Sequence, residues 1–109
     1  MDELVKRLEK LEYYQKLLAE MVSKDRYPFY CLIIEHGLTK QEVESFYQLC
    51  DRLNKKRKEQ KAEEFVYYTP LFKEFQLNIP VKLNVVEVIE SCLKQKIYTN
   101  LMLQLKKNL

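Results

Sequence analysis

The chain has 109 residues, 47% hydrophobic and 32% charged, with a formal net charge of +3. That length holds one ordinary domain, residues 1–109, and that apolar share excludes an intrinsically disordered chain. One glycine (Gly37) and three prolines (Pro28, Pro70, Pro80) are too few turn residues for a sheet protein. The expected fold class is therefore all-α: a multihelical bundle of about five to six helices with a long N-terminal helix.

Leu4, Leu8, Leu11, Leu18 and Val22 follow a heptad spacing, with Gln15 as the one polar residue on the seam. Glu3 and Arg7, Glu12 and Lys16, and Glu20 and Lys24 stand four apart with the acid first, the favourable order on a helix. The spacing predicts a helix over residues 2–23, ~33 Å long at ~1.5 Å per residue. Tyr14, Leu17 and Met21 form a second stripe beside the leucine seam. The two stripes together cover about half of the helix, more than a surface helix usually buries. The extra width calls for a further partner, either more of this chain or another copy.

Pro28 fits the first turn of a second helix, with Asp25 or a neighbour as its cap. The segment Phe29 to Ile34 is apolar nearly all round, as a buried helix is, and Gly37 follows as the C-terminal cap. Thr39 and Glu42 make a capping box, with Leu38 and Val43 as its hydrophobic staple, and open a helix over residues 40–62. Val43, Phe46, Tyr47, Cys50 and Leu53 give its apolar face, and past Asn54 its last two turns are expected to project into solvent. Phe65 to Tyr68 reads as an extended connection. Thr69 and Pro70 open a short helix carrying Leu71, Phe72 and Phe75, which Asn78 to Pro80 ends. Asn84 and Glu87 repeat the start signal, with Leu83 and Val88 as staple, ahead of Val85, Ile89, Cys92 and Leu93. A break near Gln95 and Lys96 precedes a final helix with Ile97, Leu101 and Leu105 on one stripe, flanked by Tyr98 and Met102.

Leu11-Glu-Tyr-Tyr14, Arg26-Tyr-Pro-Phe-Tyr30, Gly37-Leu38, Cys50-Asp51, Lys61-Ala62 with Phe65-Val66, and Leu83 with Val85 occur in an order that resembles the YhaI-like family of small proteins from Bacillus-type bacteria. The resemblance covers nearly the whole chain, and Arg26-Tyr-Pro-Phe-Tyr30 is its most specific piece. It implies a multihelical, oligomeric, cytoplasmic protein with no known activity, cofactor or site residue. That family is associated with a glycine near positions 64 and 96, where this chain has Glu64 and Lys96.

The inventory of reactive side chains is short. His36 is the single histidine, and Cys31 lies five residues before it, ~140° away around a helix, so the two do not form a dyad. Cys31, Cys50 and Cys92 sit on apolar faces and read as small core residues; no CxxC pair exists. No histidine pair or acidic loop supports a metal site, and one glycine excludes P-loop and dinucleotide fingerprints. Met1 to Lys10 alternates charges with leucines, unlike a signal peptide, and no apolar run approaches the ~20 residues of a membrane span. The expectation is a cytoplasmic protein with reduced thiols, no membrane association and no cofactor.

The strongest charge run is Arg52, Lys55, Lys56, Arg57, Lys58 and Lys61 against Glu59. On a helix these residues spread around the cylinder, and Glu63 and Glu64 follow them, so a solvated helix end is the ordinary reading. The corner His36 to Thr39 resembles a helix-turn-helix, but the next turn, Lys40 to Glu44, is net acidic and would repel phosphate. Tyr13, Tyr14, Tyr27, Tyr30 and Tyr47 fall within apolar stripes, which suits packing better than base stacking. The sequence thus points to a non-enzymatic interaction or scaffold protein whose partner is itself, a homo-oligomer joined through Leu4, Leu8, Leu11, Tyr14, Gln15, Leu18 and Val22; an unidentified protein partner is also compatible. The alternative is a nucleic-acid-binding or accessory regulatory protein that uses residues 52–61.

Overall fold

The computed structural model describes residues 1–22, 25–62 and 68–109, with the backbone alone at 61–62 and 68–69. The fold is all-α: α1 (Asp2–Met21), α2 (Pro28–Glu35), α3 (Lys40–Ala62), α4 (Tyr68–Asn78), α5 (Val85–Gln95) and α6 (Thr99–Lys106), with no strand among the described residues. The expected extended stretch at 65–68 lies mostly outside the described residues; Tyr68 itself is the first residue of α4.

Helix ends follow the local chemistry. Thr39 and Glu42 cap each other: the Thr39 N–H donates to Glu42 Oε1 and the Glu42 N–H to Thr39 Oγ1, both at 3.1 Å. Asn84 Oδ1 accepts from the N–H groups of Val86 (2.9 Å) and Glu87 (3.2 Å) and so opens α5. At the end of α2, Gly37 (φ +62°) lets the Leu38 N–H reach the Ile33 carbonyl at 3.0 Å and its own N–H reach that of Ile34 at 3.2 Å. The end of α5 repeats this pair of bonds, Ile97 to Cys92 at 2.8 Å and Lys96 to Leu93 at 3.2 Å. There the left-handed position is taken by Lys96 (φ +61°), which carries a Cβ that Gly37 lacks.

The start of α2 departs from expectation. Its N-cap residue is Tyr27, not Asp25, and makes no side-chain capping bond. Gln95 Oε1, from the last turn of α5, accepts the N–H groups of Phe29 (2.9 Å) and Tyr30 (3.2 Å). One side chain thus closes a helix 65 residues away in the sequence and fixes α2 against α5.

α2 to α6 share one core. Phe46 of α3 is its aromatic centre, 5.2 Å from the Phe29 ring of α2 and 6.0 Å, edge to face, from Phe75 of α4. Leu49, Cys50 and Leu53 of α3, Val88, Ile89 and Cys92 of α5, and Leu101, Met102 and Leu105 of α6 complete it. Tyr98, also left-handed (φ +49°), leads α6 back over α3, where its hydroxyl donates to Asp51 Oδ1 at 2.6 Å. The tail of α3 is not wholly solvated, since Arg57 and Gln60 are half-buried where α3 runs beside α4.

α2 is not buried all round either. Phe29 and Leu32 face the core, while Tyr30 and Ile34 are exposed and Cys31 is half-buried. α1 departs furthest from a compact bundle: every one of its residues is exposed. The molecule measures 61 × 28 × 19 Å with a radius of gyration of 17.2 Å, against about 13 Å for a compact chain of this length.

Two substitutions test the corners. Gln95→Ala strips two N–H groups of their acceptor and should lower the unfolding free energy by about 1–2 kcal/mol in urea denaturation. Lys96→Gly relieves a left-handed residue and should raise it by up to about 1 kcal/mol, despite the looser unfolded chain.

Candidate functional site

The seam of α1 is the candidate site. Leu4, Leu8, Leu11, Gln15 and Leu18 fall within an arc of about 80° at 100° per residue, and the four leucines are 53–60% exposed. Tyr14, Leu17 and Met21 stand beside them, also exposed. Val5, on the opposite flank, is a further exposed apolar residue that the heptad reading passed over. The surface is a mostly apolar band on a helix, with one amide in its line.

Val22 does not belong to this band. The helix ends at Met21, and Val22 turns extended (φ −79°, ψ 128°), its N–H donating to the Leu18 carbonyl at 3.1 Å. Half-buried, it lines a cavity of about 70 Å³ with Ala19, Cys31, Ile34 and Glu35, the place where the end of α1 meets α2. The predicted helix over 2–23 carried Val22 onto the seam because its spacing is right; the backbone leaves the helix one residue too early. Tyr27 and Tyr30, at the start of α2, form an exposed pair stacked at 5.9 Å with ring planes 5° apart. Their three-residue spacing was visible in the sequence, but the exposure of both was not.

The basic segment is built differently. Glu74 of α4 receives Lys56 Nζ at 2.9 Å and Arg52 Nη2 at 3.3 Å, so two of its cations already hold a carboxylate. Arg57 Nε donates to Asn54 Oδ1 at 3.0 Å. Lys55 and Lys58 are exposed, and the side chain of Lys61 lies outside the described residues. The hydrogen bond from Lys56, with the charges of Lys56 and Arg52, holds the Glu74 carboxyl below the usual carboxylate range.

The thiols of Cys50 and Cys92 are core groups. Burial pushes the Cys92 thiol up to about 12 and that of Cys50 higher still, so both stay protonated at neutral pH. His36 ends α2 and is half-buried. Among the described residues no group of three or more His, Cys, Asp or Glu is placed to hold a metal ion. None of the described helices is long and apolar enough to cross a membrane.

A family model described as "Protein of unknown function (DUF1878)" matches residues 1–109. The chain belongs to this family. The match spans α1 as well as the α2–α6 core, so the bare helix falls within the family's own extent.

Glu74→Gln should measure the α3–α4 clasp. The carboxyl is lowered on folding, so its contribution is present above the ordinary carboxylate range and fades as pH falls through the lowered value. The variant should lose less than about 1 kcal/mol at pH 7, because the pair is partly exposed. As pH falls below that lowered value, its stability should converge on that of the wild type in pH-dependent denaturation.

Proposed function

We propose that this protein is a non-enzymatic helical interaction or scaffold protein that works in the cytoplasm as a homo-oligomer, with Leu4, Leu8, Leu11, Tyr14, Gln15 and Leu18 of α1 as the contact surface. The carrying observation is the leucine seam, bare along a helix none of whose residues is buried. A helix of 20 residues is marginal in water without tertiary contacts. Acid-first pairs such as Glu12 and Lys16 add only about 0.3–0.5 kcal/mol each. A partner that covers the seam supplies what is missing. Burying a leucine is worth about 1.5–3 kcal/mol, so eight half-exposed leucines in a pair of chains hold roughly 6–12 kcal/mol. That is the size of the cost of bringing two chains together, about 4–15 kcal/mol, and Tyr14, Leu17 and Met21 add to it. The resemblance to the YhaI-like family, with its oligomeric expectation, agrees with this reading.

The basic segment offers a weaker surface, since Glu74 already engages Arg52 and Lys56 from within the fold and offsets one of their two charges. A phosphate backbone would have to compete for those cations.

Light scattering at tens of micromolar in physiological salt should return a multiple of the 13.3 kDa chain mass. Leu11→Asp should return a monomer, because it sets a charge where the seam must be dry. Leu11 is outside the α2–α6 core, so the loss of stability should appear only as loss of the concentration dependence of Tm. A wild-type monomer, or a Leu11→Asp variant of unchanged size, would overturn the proposal.

A further inference from the structure

We infer that a second copy of this chain docks on α1 in parallel and in register, with Arg7 paired to Glu12 of the partner subunit and Gln15 facing Gln15 of the partner subunit. The inference rests on the proposal that α1 is the self-association surface and adds its direction.

The residues on the seam discriminate between the two directions. In heptad terms Leu8 and Gln15 occupy a positions, and Leu4, Leu11 and Leu18 occupy d positions. A parallel pair sets a against a and d against d. The two Gln15 amides then meet and hydrogen-bond each other, while every d layer is leucine on leucine. An antiparallel pair sets a against d. All three d positions of α1 are leucines, so Gln15 would face a leucine in every antiparallel register and leave a buried amide without a partner.

The flanking charges agree. Arg7 occupies a g position and Glu12 the e position five residues on, the spacing at which g reaches e of the neighbour in a parallel pair. Two-fold symmetry forms this ion pair twice. In antiparallel order e faces e and g faces g, so Arg7 never meets Glu12. In the register that aligns Leu8 with Leu18, two Glu12 carboxylates would oppose each other.

The apolar surface at the end of α1 points the same way. Ala19 and Val22 share a cavity wall with Cys31 and Ile34, which sets the exposed Ile34 of α2 at the C-terminal end of the seam, with the exposed Tyr30 one turn back along α2. Parallel pairing brings these two patches to the same end of the pair, where they continue the covered surface. Antiparallel pairing sends them to opposite ends.

Oxidative cross-linking decides the direction. In the full chain with Cys31→Ser, Leu4→Cys should give a disulfide-linked dimer on non-reducing electrophoresis in high yield, because position 4 faces itself. A mixture of Leu8→Cys and Leu18→Cys chains should give no mixed dimer, since those positions lie ~15 Å apart along the axis at ~1.5 Å per residue. A mixed Leu8–Leu18 cross-link without a Leu4 cross-link would overturn the inference while leaving self-association intact. A monomer by light scattering would overturn both together. In a second measurement, Arg7→Glu should raise the dissociation constant roughly tenfold, equivalent to about 1.4 kcal/mol over the two pairs, and adding Glu12→Arg should restore it. An affinity indifferent to both changes would also count against the parallel register.

Discussion

Among the described residues, five helices close the hydrophobic core and the sixth, α1, the longest but one, receives none of that burial. Phe46 stands where α2, α3 and α4 converge, and the buried residues of α5 and α6 pack around the same centre. Once that core is full, α1 has no place within it. Its leucines are therefore not a failed part of the fold but surface carried outside it, and the elongated shape follows directly.

The core is held in register by a few polar contacts between distant parts of the chain. Gln95 ties α5 to the start of α2, Tyr98 ties the entry of α6 to Asp51 of α3, and Glu74 ties α4 to Arg52 and Lys56 of α3. Each satisfies groups that would otherwise face water at a helix end or along a charged flank. Together they set the angles at which apolar faces of modest width can meet. Two left-handed residues, Lys96 and Tyr98, make the sharp corner between α5 and α6 possible. The strain they carry is local, and it is offset by the burial of Leu101 and Met102 just beyond.

The two fully buried thiols are protonated and enclosed, and the strongest basic run is partly neutralised by Glu74. The exposed apolar surface includes the α1 seam and the stacked Tyr27 and Tyr30 at the start of α2.

Helix order, helix type and most helix ends were legible in the sequence, because their causes lie within four or five residues. Thr39 with Glu42, Asn84 with the N–H groups just after it, and Gly37 at its left-handed position each make bonds to near neighbours. Periodicity likewise marked Phe46, Cys50, Val88 and Leu101 as inward residues. It could not say what covers a stripe once formed. That is why the outer side of α2, read as buried, is exposed, why the covering of the α1 seam stayed open between this chain and another copy, and why Val22 fell on the wrong side of a helix end. The cap that Gln95 places on α2, the clasp of Glu74, and the choice of Lys96 for a glycine's conformation were decided by tertiary structure alone. Each joins groups that only the folded chain brings within hydrogen-bonding distance, or imposes a backbone angle that the residue itself would not choose.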